Sequence, residues 1–424
     1  MAGVILSSVL SAHDLTTETP LQFEVNVAPQ RHEKSRLGLM VVGAVSPAIA
    51  QIKKDLEFSN QFVIDIKEHC HEPQTTTDIT ALASTYPLVI FVHEHNDNTI
   101  DWHIYETTSA LRVAGKKYHK RGTLERGWAH NIADMLWPLL TGQDGFFSTK
   151  IAYCREVPGK RGKKYKHIDI ADYDGNYAEP FVRTPTINVA PRFNHDKENP
   201  LLFFSESTNE NIRLKVANMN RRCKTASDFD GVNMLPAFSE DGSKVVYCAS
   251  HGDGHCQLYY YDKDGLVSLT NNEGNNISPT LSDDATKIYF CSDQNGKPQI
   301  YCHNRVTGLQ TLITNGQEAC FSPAYCSKKN MLAYVKMIKG IMQICTYNEL
   351  TADHMQLTFD KENKDECSWS PCGNYILFCA EKRSKGRIAM INVTSKEQRY
   401  ITAANTVCSF PTWSPLYAHY PVIS

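Results

Sequence analysis

Short apolar runs recur at regular spacing through the second half of the chain. Four of them are rich in β-branched and aromatic residues and occupy residues 244–247, 287–290, 331–334 and 375–378. A second run follows each of them after a hydrophilic stretch, at residues 257–260, 299–301, 343–345 and 387–390. Runs of this length, bounded by turn residues, predict buried β-strands joined by hairpins.

A proline-containing motif marks the start of each repeat. The clearest copy is Pro-Ala-Phe-Ser at residues 236–239, which Glu-Asp-Gly follows. Each copy of the motif contains one large residue, and successive large residues are separated by 45, 43, 44, 44 and 44 positions. They are Phe193, Phe238, Leu281, Tyr325, Trp369 and Trp413. A Leu-Thr or Ile-Thr step late in four repeats indicates a further strand. Four strands in about 44 residues are typical of a propeller blade, so six copies predict a six-bladed β-propeller.

The two ends of the repeat array are complementary. The last motif, at residues 410–415, is followed by only nine residues. Strand-like runs without a motif occur at residues 150–154, 165–170 and 180–182. A C-terminal strand that joins these runs completes one blade and removes two exposed sheet edges. We therefore expect residues 146–424 to form a closed ring.

The chain contains 14 cysteines, and several recur at one position of the repeat. Cys248, Cys291 and Cys379 each lie ten residues beyond the large residue of their motif, and Cys154 ends the equivalent strand of the closing blade. Because equivalent positions on successive blades are far apart, we expect these four to be buried free thiols. Disulfides between Cys367 and Cys372, or between Cys320 and Cys326, are the alternative for those residues.

Residues 21–145 show a different pattern, in which strands alternate with helices. Apolar runs at residues 38–42 and 88–92 predict strands. A helix is predicted to begin near Leu124, since apolar residues recur on one face: Trp128, Ile132, Met135, Leu136 and Leu139. This pattern predicts an α/β domain that precedes the all-β propeller, with a short linker between them.

Composition narrows the classes of function. Hydrophobic residues make up 42% and charged residues 21% of the chain, as in globular proteins. The net charge of -2 argues against bulk attraction to nucleic acid. No run approaches the roughly 18 apolar residues of a membrane-spanning helix. Residues 1–20 are interpreted as a signal remnant and N-terminal segment, although residues 3–12 fit an ordinary strand equally well.

Catalytic motifs are absent from the sequence. The alternative function is a catalytic propeller related to prolyl-oligopeptidase-type hydrolases, but the chain has no G-x-S-x-G motif. Phosphate-binding loops and H-E-x-x-H are absent too. Two H-x-H pairs, His69 with His71 and His93 with His95, are more typical of a surface than of a metal site. We expect no enzymatic activity, no cofactor and no metal.

Two charged segments allow more than one interpretation. Residues 160–166 read Lys-Arg-Gly-Lys-Lys-Tyr-Lys, and a solvated hairpin tip is favoured over an anion-binding patch. Asp283, Asp284 and Asp293 fit turn positions as well as they fit contacts to a cation near the channel.

The junction between the two predicted domains resembles a known family. Residues 128–135, Trp-Ala-His-Asn-Ile-Ala-Asp-Met, and residues 140–153 are similar to the domain junction of the TolB family, the periplasmic propeller of the Tol-Pal system. Residues 172–175, 291–301 and 410–415 extend the resemblance to roughly residues 38–415. Three repeats depart from the family because they lack the Asp-Gly turn, near Asp196, Ser327 and Cys372.

The resemblance implies a monomeric periplasmic protein that binds other proteins and supports outer-membrane integrity and division. Its propeller face would bind the peptidoglycan-associated lipoprotein Pal, and its N-terminal segment would engage a TolA-type inner-membrane protein. Loops before the proline motifs belong to the partner surface of the family. The corresponding residues here are Val232, Asn233, Leu235, Asn275, Asn276 and Ile277. Leu235 and Ile277 also fit a role in packing between blades.

Overall fold

The computed structural model describes residues 34–120, 125–208, 211–228, 231–250 and 254–417. Residues 34–149 are called the N-terminal region here. Its elements are β1 (Ser35–Val42), α1 (Pro47–Phe58), β2 (Phe62–Lys67), α2 (Thr76–Thr80), β3 (Leu88–Glu94), β4 (Thr99–Glu106), β5 (Leu111–His119) and α3 (Glu125–Thr141). The predicted start of α3, Leu124, lies outside the described residues, as does the predicted signal remnant.

The N-terminal region is a five-stranded sheet packed against helices. The strand order is β2-β1-β3-β4-β5, with β1 parallel to β2 and β3 and with β4 and β5 antiparallel. α1 begins after Ser46, whose hydroxyl accepts a hydrogen bond from the Ile49 amide, and Pro47 occupies its first turn. Both predicted strands of this region, within β1 and β3, are confirmed. Among the described helices, none is long and apolar enough to cross a membrane.

Four antiparallel sheets of four strands follow the repeat. The first contains β13 (Asn233–Phe238), β14 (Val245–Ser250), β15 (Cys256–Asp262) and β16 (Gly265–Ser268), and the second β17 (Asn276–Leu281), β18 (Lys287–Ser292), β19 (Gln299–Asn304) and β20 (Gln310–Leu312). The third contains β21 (Cys320–Cys326), β22 (Met331–Ile338), β23 (Ile341–Asn348) and β24 (His354–Gln356). The fourth contains β25 (Asn363–Trp369), β26 (Tyr375–Lys382), β27 (Lys385–Asn392) and β28 (Gln398–Tyr400).

The remaining strands form one eight-stranded sheet. They are β6 (Lys150–Pro158), β7 (Lys164–Asp172), β8 (Glu179–Val182), β9 (Ile187–Phe193), β10 (Leu201–Ser207), β11 (Ile212–Asn218), β12 (Cys223–Ser227) and β29 (Cys408–Trp413). The sequence predicted two separate sheets here. They merge at a single parallel pair, Lys166 with Ile187. Because β8 pairs only with residues 168–170 of β7, the Lys166 backbone is left available to Thr186 and Asn188, which both bond to it.

Two repeated hydroxyl residues tie the strands of each sheet together. In three sheets the serine hydroxyl at the motif position accepts a hydrogen bond from an amide at or next to the start of the following strand: Ser239 from Lys244, Ser282 from Lys287 and Ser370 from Tyr375. The threonine of the Leu-Thr step accepts one from the third strand: Thr270 from Leu258, Thr314 from Ile300, Thr358 from Ile344 and Thr402 from Ile388. A buried amide without a partner costs about 1–3 kcal/mol, which explains why hydroxyls recur there.

The C-terminal strand closes the ring. β29 pairs with β6, and Ser414 accepts a hydrogen bond from the Lys150 amide at 2.8 Å. This is the same serine-to-amide bond that joins neighbouring strands within the other sheets. The Trp413 indole also donates to the Thr149 hydroxyl at 2.7 Å. The predicted closure of N-terminal propeller strands by the last motif is therefore confirmed.

A buried charged cluster joins α1 and α3 to the propeller. The two oxygens of Asp55 accept from the Tyr173 hydroxyl at 2.9 Å and contact the Nδ1 of His130 at 2.7 Å. Asp172, from β7, pairs with Lys150 at 2.5 Å and with Arg126 at 3.1 Å. The two carboxylates raise the pKa of His130 to about 10 although burial opposes this, so the imidazole is charged. This cluster fixes the N-terminal region on the ring.

The prediction for the cysteines is confirmed. Cys154, Cys248, Cys291 and Cys379 are free and buried, and burial raises the pKa of each thiol. Two of them bond to the next repeat, since Cys291 Sγ lies 3.5 Å from the Cys320 carbonyl and Cys379 Sγ lies 3.4 Å from the Cys408 carbonyl. The alternative disulfides do not form: Cys320, Cys326, Cys367 and Cys372 are free.

Candidate functional site

The inner strands of the propeller form a closed ring around a channel. They are β9, β13, β17, β21, β25 and β29, each the strand that carries a proline motif. Each contacts the next along the chain, and β29 contacts β9. The channel contains a cavity of about 330 Å³ lined by residues from all six strands. We take this cavity as the candidate site because all six inner strands contribute to its lining.

A bulge recurs in every inner strand. At equivalent positions the strands hold a residue with a φ angle between 49° and 65°: Ala190, Leu235, Ser278, Ser322, Glu366 and Phe410. The pairing register shifts at the same places. In five of the six strands proline follows, and proline is tolerated at a bulge because no ladder hydrogen bond is lost. The proline of the motif is thus explained by the bulge that turns the backbone into the channel.

Charged side chains from three parts of the ring line the cavity. Asp365 and Glu366 belong to β25, Arg192 belongs to β9, and His195 and Asp283 lie just beyond inner strands. The Ser322 hydroxyl donates to Asp365 at 2.7 Å, and the Phe410 amide donates to a Glu366 carboxylate oxygen. The channel therefore presents carboxylates and a guanidinium on a wall that also carries hydroxyl groups, such as those of Thr280, Ser322 and Thr412, and apolar side chains.

Burial dominates the ionisation of this acid pair. Enclosure by the channel walls, followed by repulsion from Asp365, raises the pKa of Glu366 to about 8 from 4.5. Burial also raises the pKa of Asp365. The hydrogen bond from the Phe410 amide and the cations Arg192 and Lys166 oppose this rise in the pKa of Glu366 without reversing it. At neutral pH the Glu366 carboxyl is consequently largely protonated, and it changes charge within the physiological range.

Two of the sequence-predicted partner-binding residues are fully buried. Asn233 and Asn276 have no exposed surface. The Asn276 amide donates to Gln257, Asn272 and the Gly274 carbonyl, and the Asn233 amide donates to the Ile212 carbonyl. The expectation that these amides are available to a partner was wrong. Their task is to hold the loop that enters the inner strand.

The other predicted residues are only partly accessible. The Asn275 side chain bonds to Asp293 and accepts from the Cys256 amide, which leaves little for a partner. Leu235 occupies the bulge and lines the channel, and Ile277 packs against two core clusters. The packing alternative for Leu235 and Ile277 is therefore supported. Val232 is half-buried just before the first residue of inner strand β13, where its amide donates to the Ser250 hydroxyl.

Sequence reasoning missed the charged channel residues Arg192, Asp365 and Glu366. A signal existed in the spacing, because Glu366 lies 44 residues from Ser322 and from Phe410 in equivalent positions. The strand β25 has Cys367 where the other motifs have proline, so the motif did not draw attention to it. Only the bulge shows that this position faces the channel.

The remaining candidate groups serve local structure. His95 pairs with Asp101 at 2.8 Å, and His93 lies 3.8 Å from Glu72. Among the described residues no group of three or more histidine, cysteine or acidic side chains is arranged to hold a metal ion. Asp284 caps a turn through Ser282 and Thr286, and Asp293 binds the Asn275 loop.

The fold is that of a β-propeller protein with a small N-terminal region. A family described as TolB beta propeller domain matches residues 137–417. The chain therefore belongs to the TolB beta-propeller family, as the junction and motif residues predicted.

Individual relatives agree with this assignment. The chain is 26% identical over 327 residues to the Tol-Pal system protein TolB of Gluconobacter oxydans (strain 621H), a match that covers 74% of this chain and 71% of that protein. It is 29% identical over 154 residues to the Tol-Pal system protein TolB of Rickettsia africae (strain ESF-5), covering 36% and 34% of the two chains. The structure is similar to that of TolB from Acinetobacter baumannii, with a TM-score of 0.77, 18% identity and coverage of 91% and 97%.

Proposed function

We propose that this protein is a periplasmic component of the Tol-Pal system that binds other proteins and has no catalytic activity. The observation that carries the proposal is the closed ring of inner strands. The chain belongs to the TolB beta-propeller family, and its fold is similar to that of a TolB over nearly the whole length of both chains. We count six blades by dividing the eight-stranded sheet at the single Lys166–Ile187 pair. We assign residues 21–145 to an α/β domain and residues 146–424 to the propeller.

The two ends of the ring have different surroundings. Lys328 pairs with Asp144 at 2.5 Å, and the Asn374 amide donates to Gln143 at 3.0 Å, both on turns that follow inner strands. The N-terminal region therefore sits at the end of the ring where inner strands finish. The opposite end, where inner strands begin, is called the distal face. A partner that docks there meets several blades and the channel mouth at once.

We assign the distal face to a Pal-like lipoprotein. Val232 and Asn275 lie there, just before β13 and β17, and Val232 keeps part of its apolar surface accessible. A TolA-type protein is assigned to the N-terminal segment, which lies outside the described residues. Through these two partners a monomeric propeller would support outer-membrane integrity and cell division.

Capture of partners from envelope extract tests this function, with Val232→Asp as the informative variant. If Val232 lies at an interface centre, a buried charge there should weaken lipoprotein binding by about 2 kcal/mol or more. Val306→Asp is the matched control, because Val306 is exposed on a turn between β19 and β20, away from the distal face. Ile277→Asp is unsuitable, since Ile277 packs against two cores and its loss would destabilise the fold.

The measurements are quantitative lipoprotein binding and thermal unfolding of both variants. Weaker binding by Val232→Asp alone, with unchanged unfolding temperature, supports the assignment. Equal binding by all three proteins moves the partner site off this part of the face. Failure of the unmodified chain to retain any envelope protein contradicts the proposed function itself.

A further inference from the structure

We propose that a basic arc on the distal face binds a carboxylate-rich segment of a partner protein. The arc consists of the tips of three hairpins, β22–β23, β26–β27 and β6–β7. Its exposed cations are Lys339, Arg383, Lys385, Arg161 and Lys163. The inference deepens the proposed function, on which it rests for the choice of a protein partner, by naming the chemistry that the partner must present.

The three tips lie at one end of the ring. In each sheet the hairpin turns beyond the first residue of the inner strand: Cys320 pairs with Lys336, Asn363 with Glu381 and Cys408 with Arg155. Inner strands begin at the distal face, so all three tips project from that face. The three hairpins are also consecutive, because β21 contacts β25 and β25 contacts β29.

The cations of the arc are not neutralised by their neighbours. Within the described residues, none of the five forms an ion pair with another described side chain. The nearby carboxylates are already engaged by other lysines: Glu156 by Lys164 at 2.7 Å, Glu318 by Lys336 at 3.7 Å and Glu362 by Lys382 at 3.7 Å. Asp360 is held at 2.5 Å by the buried Lys364. Glu381 adds one exposed carboxylate beside Arg383.

This concentration of positive charge is local. The whole chain has 46 acidic and 44 basic residues, so the surface elsewhere carries the excess of negative charge. A hairpin tip needs only one or two charged residues to remain solvated. Solvation alone could therefore explain the basic residues at 160–166. It does not explain why the two preceding hairpins in the ring are basic at the same end. A cluster of charges of one sign raises the local concentration of an oppositely charged ligand and the rate at which that ligand associates.

A protein segment fits the arc better than a lipid surface does. None of the exposed large apolar side chains of the described residues lies on these tips. Stable attachment to a membrane needs an apolar or acyl anchor in addition to basic residues. Carboxylates that are already paired with lysines, such as Glu318 and Glu362, also lie between the cations of the arc. A protein can place its own carboxylates opposite the tips and leave the gaps neutral, whereas a continuous layer of phosphates cannot.

Two variants of the full chain with equal loss of charge test the arc. The arc variant carries Arg161→Gln, Lys163→Gln, Arg383→Gln and Lys385→Gln. The control variant removes four exposed cations away from these tips: Lys54→Gln, Lys197→Gln, Lys263→Gln and Lys396→Gln. Binding of fluorescent poly-L-glutamate is measured by anisotropy at about 0.01 M and about 0.15 M salt. Vesicles of equal parts phosphatidylglycerol and phosphatidylethanolamine are measured alongside.

The arc variant should bind polyglutamate about tenfold more weakly than the unmodified chain at low salt, and the control variant should not. Equal binding of polyglutamate by the two variants overturns the proposal that the basic arc binds carboxylates. Arc-dependent binding of vesicles without binding of polyglutamate overturns the protein partner in favour of a phosphate surface. Retention of envelope protein by the arc variant leaves the proposed function standing even if the arc fails. If no chain, including the unmodified one, retains envelope protein, the proposed function is contradicted. The polyglutamate measurement then still shows whether the arc binds carboxylates.

Discussion

Lys364 and Glu366 stand two residues apart in β25, where Lys364 is buried and Glu366 is half-buried in the channel wall. Lys364 is 1% exposed, and its ammonium donates to Asp360 and to the Glu362 carbonyl. It occupies the position of Asn276 in another repeat and binds the residues two and four before it, as Asn276 does. Glu366 has no comparable cation, so its burial is not offset and its pKa rises. The same strand thus holds one paired ammonium and one carboxyl group whose charged form is disfavoured.

Glu366→Gln should make the fold less sensitive to alkaline pH. The pKa of Glu366 is about 8 in the folded protein and 4.5 otherwise, so the folded state holds the proton more tightly. Its contribution to stability is complete below pH 4.5 and is lost as the pH rises through about 8. Relative to the native chain, Glu366→Gln should gain on the order of 4 kcal/mol in free energy of unfolding between pH 5 and pH 8.5.

Urea unfolding of both proteins at these two pH values measures the difference. Other titrating groups are common to the two chains and cancel in the comparison. A stability difference that does not change with pH would show that Glu366 ionises normally in the channel.

At the scale of elements, the repeat is a set of bulged inner strands and hydroxyl-capped hairpins. Each bulge places a non-glycine residue at positive φ, which costs of order 1 kcal/mol, and the ring contains six of them. The bulges persist because each inner strand packs between neighbouring sheets. Hydrogen bonds across repeats add to this packing, such as the Tyr325 amide to Thr280 at 3.1 Å and the Trp413 amide to Ser368 at 2.9 Å.

Thr358→Val should destabilise the propeller by about 1–3 kcal/mol. The substitution keeps the shape of the side chain but removes the hydroxyl that accepts from the buried Ile344 amide at 2.9 Å. An unsatisfied buried amide carries that cost. Thr394→Val, at an exposed turn position, is the control and should change stability by less than about 0.5 kcal/mol. Equal effects of the two substitutions in urea unfolding would assign no special role to the repeated threonine.

For the whole molecule, the ring is closed by a strand from the far end of the chain. The core that β29 completes is shared, since one hydrophobic cluster contains Trp137 of α3, Phe146 of the junction and Trp413 of β29. The charged cluster around His130 and Asp172 lies at the same junction. The N-terminal region and the closing blade therefore stabilise each other.

Deletion of residues 405–424 should abolish the single cooperative unfolding transition. It removes β29, exposes the edge of β6 and opens the core around Trp413. Calorimetry should show a broadened transition at lower temperature. Deletion of residues 418–424, which leaves β29 in place, is the comparison that isolates the strand. An unchanged transition after the longer deletion would contradict closure by β29.

Much of the fold was predictable because it is periodic. Residues with a repeated structural task recur every 43 to 45 positions, and strand number, order and ring closure follow from that spacing. The buried thiols were predictable for the same reason, as Cys248 and Cys291 occupy one position of the repeat. Family membership followed from the junction around Trp128 and His130.

The site depended on tertiary structure because its residues are far apart in sequence. The chain alone shows that Asn233 and Asn276 precede the proline motifs, but only packing shows that they are enclosed and bonded internally. Likewise, Glu366 and Arg192 line one channel, and the basic hairpin tips that carry Arg161, Lys339 and Arg383 lie on one face, only when the ring closes. Local pattern determined the strands, whereas burial and the proximity of charges depend on the closed ring.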